Sequence, residues 1–234
     1  MNPPETNPRD RLIIALDVAT QDEALVIVRE LEGEISTFKI GLQLYTAAGP
    51  DIVRAVRATG AKVFLDLKLH DIPNTVASAV AAAGDLGVAM LTLHLSGGRR
   101  MLEAAVAKAP NEMLLLGVTV LTSSDEATLR ETGVEATVEE QALRLAAIAA
   151  ASGVRGLIAS PHEVVTLRRC VGRETTIITP GVRPGWAAVD DQKRFTTPRE
   201  ALQNGADYLV IGRPVTAHPD PREAVRKIVA ELES

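Results

Sequence analysis

Short apolar runs alternate with longer, alanine-rich segments along most of the chain. The apolar runs have the lengths of buried strands, and the apolar residues between them recur at helical spacing. The strand segments are RLIIALDV, TFKIG, KVFLDLKL, MLTLHL, MLLLGVTVL, GLIAS, TTIITPG and YLVIGRP. The helical segments include QDEALVIVRELEG, PNTVASAVAAAGDLG, TVEEQALRLAAIAAASG and PHEVVTLRRC. The last helix has a clear start, because Asp220 can cap it, Pro221 follows, and Glu223 lies three residues after the cap.

This alternation predicts an α/β fold, a closed (β/α)8 TIM barrel in a single domain. The alternative is a doubly wound open sheet, which usually has fewer strands and often a glycine-rich loop after the first strand. Here the first strand ends LDVAT, without that loop. No linker or low-complexity tract indicates a second domain. We expect residues 1–10 to form a flexible N-terminal tail and residues 11–234 to form the barrel.

Composition narrows the class of protein. The chain has 234 residues, 46% of them hydrophobic, which is enough for one large core. A net charge of −5 and an aromatic content of 3% argue against nucleic-acid partners. No apolar run approaches the ~18 residues of a membrane helix, and the N-terminus does not resemble a signal peptide. The single cysteine, Cys170, excludes an internal disulfide and fits a cytoplasmic setting.

Polar side chains stand at the predicted C-terminal ends of nearly all the strands, where barrels of this kind hold their active sites. In chain order they are Asp17, Lys39, Asp66 with Lys68, His94, Thr122, Ser160, Arg183 and the pair Gly212-Arg213. A purely structural barrel would not need them. The histidines and the cysteine do not have the spacing of metal ligands, so no metal site is predicted.

The third strand, in the segment VFLDLKLHDIPNT, carries charges among its apolar residues. Its leucines suit the helix side, so Asp66 and Lys68 should point into the barrel. Buried charges must either compensate one another as a structural ion pair or serve a ligand. Asp71 could join them or cap the helix that begins near Pro73. A lysine between two acids should stay protonated, which favours a proton donor or electrostatic clamp over a Schiff-base amine.

The loops after the seventh and eighth strands, TPGVRPGW and VIGRPVTAHPDP, lie where such barrels often bind phosphate. Gly181 and Gly212 would allow close backbone approach, and Arg213 supplies a forked donor for an oxyanion. The alternative for each loop is a turn with a solvated charge. The segment 182–195 is long enough to close over a ligand. Its polar residues include Arg183, Asp190, Gln192 and Lys193.

The segment FLDLKLHDIPNT resembles the signature of the orotidine 5′-phosphate decarboxylase family. Similar segments extend the resemblance over residues 11–232: LIIALDV, FKIGLQLY, HLSGG, GVTVLTS, TPGVRP and IGRPVT. The D-x-K-x-x-D core is shared with a wider superfamily of sugar-phosphate barrels, whereas HDIPNT and the phosphate loops are specific. The resemblance implies decarboxylation of orotidine 5′-phosphate to UMP in de novo pyrimidine biosynthesis. It also implies that no cofactor or metal is needed, and that a homodimer shares its active sites across the interface.

The resemblance assigns catalytic roles to the charged strand. It implies that Lys68 protonates C6 of the pyrimidine and that Asp66 lies beside the substrate carboxylate. Asp71 would reach the site from the neighbouring subunit, together with Ile72 and Thr75. A related Mg²⁺-dependent sugar-phosphate decarboxylase or aldolase would instead use the strand-three acids as metal ligands. A non-catalytic nucleotide-binding barrel would not need a proton donor.

The resemblance also assigns binding roles to the other strand ends. Asp17 and Lys39 resemble residues that contact the ribose hydroxyls and complete the catalytic charge network. Thr122, with Ser123, resembles the position that contacts the base. The residues that resemble phosphate and lid contacts are Arg183, Gln192, Gly212 and Arg213.

Overall fold

The computed structural model describes residues 7–187 and 196–233. Within these ranges eight strands form one closed barrel, in which every neighbouring pair is parallel and β8 returns to β1. The predicted (β/α)8 TIM barrel is therefore confirmed. The strands are β1 Leu12–Ala15, β2 Thr37–Gly41, β3 Lys62–Leu69, β4 Met90–His94, β5 Leu114–Val118, β6 Gly156–Ile158, β7 Thr176–Pro180 and β8 Tyr208–Ile211.

Helices connect successive strands. The four helical segments predicted from spacing are confirmed as α1, α4, α7 and α8. The described helices are α1 Gln21–Glu30, α2 Leu42–Ala48, α3 Asp51–Ala58, α4 Pro73–Asp85, α5 Gly98–Val106, α6 Glu126–Glu131, α7 Val138–Ala151, α8 Val164–Val171, α9 Pro198–Gln203, α10 Arg213–Thr216 and α11 Pro221–Glu233.

Local capping signals fix where several helices begin. In α1 the side chain of Thr20 accepts from the backbone N–H of Glu23, whose carboxylate accepts from the Thr20 N–H. This reciprocal arrangement satisfies N–H groups that the helix itself leaves free, and it also starts α7 and α9. The predicted start of α11 is confirmed, because Asp220 Oδ1 accepts from the Glu223 N–H at 3.0 Å and Pro221 is the first helical residue.

The apolar residues form two layers, because strands of a parallel barrel are covered on both faces. The larger layer lies between the strands and the helices, and it includes Val63 and Leu65 of β3. A smaller cluster fills the barrel interior. Its buried members are Ile13, Ala15, Phe64, Met90, Leu116, Ile178 and Val210. The predicted helix side of the β3 leucines is confirmed, and the inner cluster forms the floor beneath the strand ends.

A short 3-10 helix, Pro8–Arg11, precedes β1 at the N-terminal end of the barrel. The side chain of Asn7 caps it, and Arg9 Nε donates to Glu34 at 3.0 Å. These bonds involve the last residues of the segment 1–10, for which a flexible tail stays a prediction. Residues 1–6 lie outside the described part of the chain. Among the described helices, none combines the length and apolarity needed to span a bilayer.

Candidate active site

A cavity of about 290 Å³ opens at the C-terminal end of the barrel. This volume is at the lower end of the range for small-molecule sites. The predicted site residues that line it are Asp17, Lys39, Asp66, Lys68, Thr122 and Gly212. They come from five different strand ends, so the closure of the barrel brings together residues that are far apart in sequence.

Four of these side chains form an alternating row of acids and lysines. Lys68 Nζ lies 2.8 Å from both Oδ1 and Oδ2 of Asp66. Lys39 Nζ lies 3.6 Å from Asp66 Oδ2 and 3.2 Å from Asp17 Oδ1. The row carries no net charge, which makes the burial of Lys39 and Asp66 tolerable. The compensating ion pair foreseen from the sequence exists, and it faces a cavity.

Asp66 is the most constrained member of this row. Its side chain is 12% exposed, and burial is the largest influence, acting to raise the pKa of its carboxyl. The charges of Lys39 and Lys68, with hydrogen bonds from Lys68 and Thr92, outweigh burial and hold the pKa of Asp66 below its ordinary value of 3.8. At neutral pH Asp66 is therefore an anion between two ammonium groups.

The strand that carries Asp66 and Lys68 is not regular. β3 and β4 lose register between Leu65 and Leu69, where three residues of β3 lie opposite the single residue Thr92 of β4. Lys68 has φ 49°, the one positive φ among the described non-glycine residues. Bulges and left-handed backbone at non-glycine residues are concentrated at functional sites, because the surrounding structure must hold them in place. The alternating pattern of the sequence predicted the inward side chains but not this bulge.

Asp71, Ile72 and Thr75 do not join the cavity of their own chain. All three are exposed where β3 leads into α4. Asp71 Oδ1 accepts from the Ile72 N–H at 2.6 Å, and Ile72 is the cap residue of α4 without a side-chain bond. The alternative that Asp71 caps this helix is therefore wrong. Among the ion pairs of the described residues, Lys68 pairs with Asp66 and not with Asp71.

Gly181 and Gly212, the expected phosphate-loop glycines, both line the cavity. Gly181 has φ 76°, a conformation that strongly favours glycine. At Gly212 an added Cβ would lie 3.7 Å from Ala15 Cβ and Asp17 Oδ2, which is ordinary contact. Arg213 begins α10 and is exposed, and its guanidinium makes no hydrogen bond or ion pair with the described residues.

The remaining predicted contacts lie at the rim or beyond the described residues. Arg183 is half-buried, and its N–H donates to the Thr196 carbonyl at 3.1 Å, which joins the two described ends of this segment. Thr122 lines the cavity, whereas Ser123 is exposed and does not. Gln192 lies outside the described residues, as do Asp190 and Lys193.

Two titratable residues near the cavity were not assigned a role from the sequence. His94 is half-buried with its ring 5.6 Å from that of His70, and burial, then the charges of His70 and Lys68, lower its pKa. Glu163 is 7% exposed, and burial raises its pKa to about 7. Its Oε2 has no hydrogen-bond partner among the described residues. Ser160, whose hydrogen bonds oppose this shift, lines the cavity. The sequence signal that could have indicated a buried Glu163 is its place at the start of an apolar helical segment.

Thr92 is the other residue that sequence reasoning missed. It is fully buried, and its hydroxyl bonds both the backbone of Lys68 and the carboxylate of Asp66. A threonine in an apolar strand gives no sign of this, because both partners lie on β3. In the described parts of the chain, no group of three or more acidic, histidine or cysteine side chains has a metal-binding arrangement.

Known proteins are similar to this chain in sequence and in fold. The family described as "Orotidine 5'-phosphate decarboxylase / HUMPS" matches residues 10–228. The orotidine 5′-phosphate decarboxylase of Syntrophotalea carbinolica is 51% identical, over 96% of this chain and 95% of its own. That of Opitutus terrae is also 51% identical, over 95% and 98%. The crystal structure of the Lactobacillus acidophilus enzyme superposes with a TM-score of 0.84 at 35% identity, covering 96% of this chain and all of that one.

Proposed function

The chain belongs to the orotidine 5′-phosphate decarboxylase / HUMPS family, and on this premise we propose that it is a carboxy-lyase that converts orotidine 5′-phosphate to UMP in pyrimidine biosynthesis. The observation that carries the proposal is the Lys68 ammonium, 2.8 Å from both Asp66 oxygens in a cavity at the C-terminal end of the barrel. The curated relatives named above bear this activity in their names, over nearly their whole length.

Lys68 supplies both the electrostatic stabilisation and the proton in the proposed reaction. The bond from C6 to the carboxylate carbon breaks, carbon dioxide leaves, and the electron pair stays on C6 as a vinyl carbanion. A fixed ammonium beside C6 stabilises this charge as it develops and then transfers its proton to C6. Lys68 is left as a neutral amine and regains a proton from water. No electron-sink cofactor enters this sequence of steps.

The rest of the charged row keeps Lys68 ready for this task. Asp66 is anionic at neutral pH, and its two oxygens accept from Lys68 Nζ and hold it at two points. Lys39 and Asp17 extend the row towards the ribose, where their polar atoms suit hydroxyl groups. Thr122 and Ser123 are proposed to contact the base at the opposite side of the cavity.

The phosphate is proposed to bind at the loops after β7 and β8. The exposed guanidinium of Arg213 is free to form a charge-assisted, forked contact with an oxyanion. Gly212 beside it offers a backbone N–H, and Arg183 and Gln192 are proposed to complete the contacts from the preceding loop. Binding energy gained at the phosphate, far from C6, can help to assemble the reacting end of the site.

A homodimer is proposed to complete each site with Asp71, Ile72 and Thr75 of the partner subunit. Ile72 is 66% exposed, so it presents an apolar side chain that a partner subunit would cover. Asp71 does not reach Lys68 of its own chain, although it lies three residues away in sequence. An interface over this surface would bury Ile72 and place a second acid near Lys68.

The cytoplasmic location remains a proposal that rests on cysteine content.

The rival within the same family is a metal-dependent reaction on a sugar phosphate. The geometry favours the first proposal, because both oxygens of Asp66 already face ammonium groups that a cation would have to displace. The test is the loss of orotidine 5′-phosphate ultraviolet absorbance and the appearance of UMP with purified protein, with and without a strong chelator. Turnover in both conditions is expected. No turnover, or turnover that the chelator abolishes and Mg²⁺ restores, would contradict the proposal.

A further inference from the structure

The bulge that presents Lys68 is closed by one buried hydroxyl. Lys68 N donates to Thr92 Oγ1 at 2.8 Å, and Thr92 Oγ1 donates to Asp66 Oδ1 at 2.9 Å. The hydroxyl therefore acts as acceptor for one residue of the ion pair and donor to the other. Thr92 is fully buried, so water does not compete for these bonds.

These two bonds replace contacts that the bulge removes. At the bulge, three residues of β3 lie opposite the single residue Thr92 of β4. The regular pattern of backbone hydrogen bonds between the strands is interrupted there, so the Lys68 N–H has no backbone partner on β4. A buried N–H without a partner is costly, and a left-handed lysine persists only when its surroundings hold it. Thr92 meets both needs from the neighbouring strand.

We propose that Thr92 is a positioning residue for the decarboxylation, its hydroxyl fixing the Lys68 backbone and the Asp66 carboxylate relative to one another so that Nζ faces C6. The inference rests on the proposed function and goes beyond it, because Thr92 itself does not line the cavity. A hydroxyl is needed rather than a carbonyl or an amine, because the position requires one acceptor and one donor on the same small atom.

The alternative is that Thr92 only fills space in the barrel. Thr92→Val keeps the shape and removes both bonds, and Thr92→Ser keeps the hydroxyl and removes the methyl group. Thr37 provides a control outside the site, because it is buried, begins β2 at the N-terminal end of the barrel, and does not line the cavity. Thr37→Val makes the same chemical change there, with the loss of only a 3.5 Å contact with Ser36 Oγ.

The experiment measures kcat, KM and UMP affinity for these variants. Misplacement of a reacting group by about 1 Å can cost ~10²-fold, so we expect Thr92→Val to lower kcat by roughly tenfold to 10²-fold. KM and UMP affinity should change little, because the phosphate and base contacts are distant. Thr92→Ser should recover most of kcat, and Thr37→Val should behave as wild type.

Two further readouts do not depend on turnover. Without the Thr92 hydroxyl, the Lys68 amide should exchange its hydrogen faster, and the pKa of Asp66 should rise in a carboxyl-carbon NMR titration. Both changes should be absent from Thr92→Ser and Thr37→Val. If wild-type protein fails to turn over orotidine 5′-phosphate, the proposed function fails, and these readouts still test the positioning of Lys68 and Asp66.

The proposal is overturned if folded Thr92→Val keeps most of its kcat, or if Thr92→Ser loses as much as Thr92→Val. It is also overturned if amide exchange at Lys68 and the pKa of Asp66 are unchanged in Thr92→Val. If Thr92→Val does not fold, Thr92→Cys preserves the volume with a much weaker hydrogen-bonding group. Its kcat should fall between those of wild type and Lys68→Ala, and wild-type kcat in Thr92→Cys would overturn the proposal.

Discussion

The left-handed backbone at Lys68 predicts an unusual order of stability for two substitutions. A φ of 49° costs a residue that has a Cβ about 1–2 kcal/mol, a cost that glycine avoids. Lys68→Ala and Lys68→Gly both lose the ion pair with Asp66, so that loss cancels when the two variants are compared. At ordinary strand positions glycine is instead less stable than alanine by about 0.5–1 kcal/mol, because it loses more freedom on folding.

Lys62, the exposed first residue of the same strand, is the matched control because it does not have a positive φ. The stability of the glycine variant relative to the alanine variant should be about 1–2 kcal/mol more favourable at Lys68 than at Lys62. For a chain of this length 1 kcal/mol corresponds to roughly 2–4 °C in Tm. The double difference in Tm should therefore be about 2–8 °C.

The four variants are compared by thermal and urea unfolding at one protein concentration, because association in the folded state raises apparent stability. Lys68→Gly should be at least as stable as Lys68→Ala, whereas Lys62→Ala should be more stable than Lys62→Gly. If the alanine variant is more stable than the glycine variant by the same margin at both positions, the left-handed bulge is absent. The explanation for how Lys68 is oriented is then refuted.

Three further predictions concern phosphate, the shared site and a buried acid. Arg213→Ala should weaken UMP binding by about 1.5–3 kcal/mol and uridine binding much less, and equal losses in calorimetry would exclude a phosphate contact. Lys68→Ala and Asp71→Ala dimers should be nearly inactive alone, yet random subunit exchange should restore about a quarter of sites, because half the dimers are mixed and one of their two sites is intact. Activity that stays at the sum of the controls after confirmed exchange would refute the shared site. The pKa of Glu163, raised from 4.5 to about 7, gives a stabilising contribution that is complete below the lower value and lost as pH rises through the upper one. Glu163→Gln should therefore gain unfolding free energy relative to wild type between about pH 5 and about pH 8, and an unchanged difference would count against the buried carboxyl.

The barrel could be predicted because its signals are local. Eight apolar runs alternate with helical segments, and the caps at residues such as Thr20 and Asp220 depend on neighbours three positions away. The charged strand was also predictable in outline, since the period of a strand places Asp66 and Lys68 on the same face. Their meeting with Lys39 and Asp17 followed from the rule that barrel strands end at one rim.

The bulge could not be predicted, because it depends on how two strands pair. Thr92 lies 24 residues from Lys68, and its environment in MLTLHL has the regular alternation of an ordinary strand. The position of Asp71 could not be predicted from local sequence patterns either, for a different reason. Its exposure and its bond to Ile72 become clear only when the turn into α4 is built, and its proposed partner is a second chain.

The catalytic role of Lys68 is tested most directly by measuring the turnover of Lys68→Ala and Lys68→Gly together with their affinity for UMP. Removal of one preorganised electrostatic group commonly costs about 10²–10³ in kcat, and here the proton donor is lost with it. Both variants should therefore retain far less than a tenth of wild-type kcat, while UMP binding changes little because its phosphate and base contacts remain. A folded variant that keeps more than about a tenth of wild-type kcat would contradict the proposed role of Lys68 as proton donor.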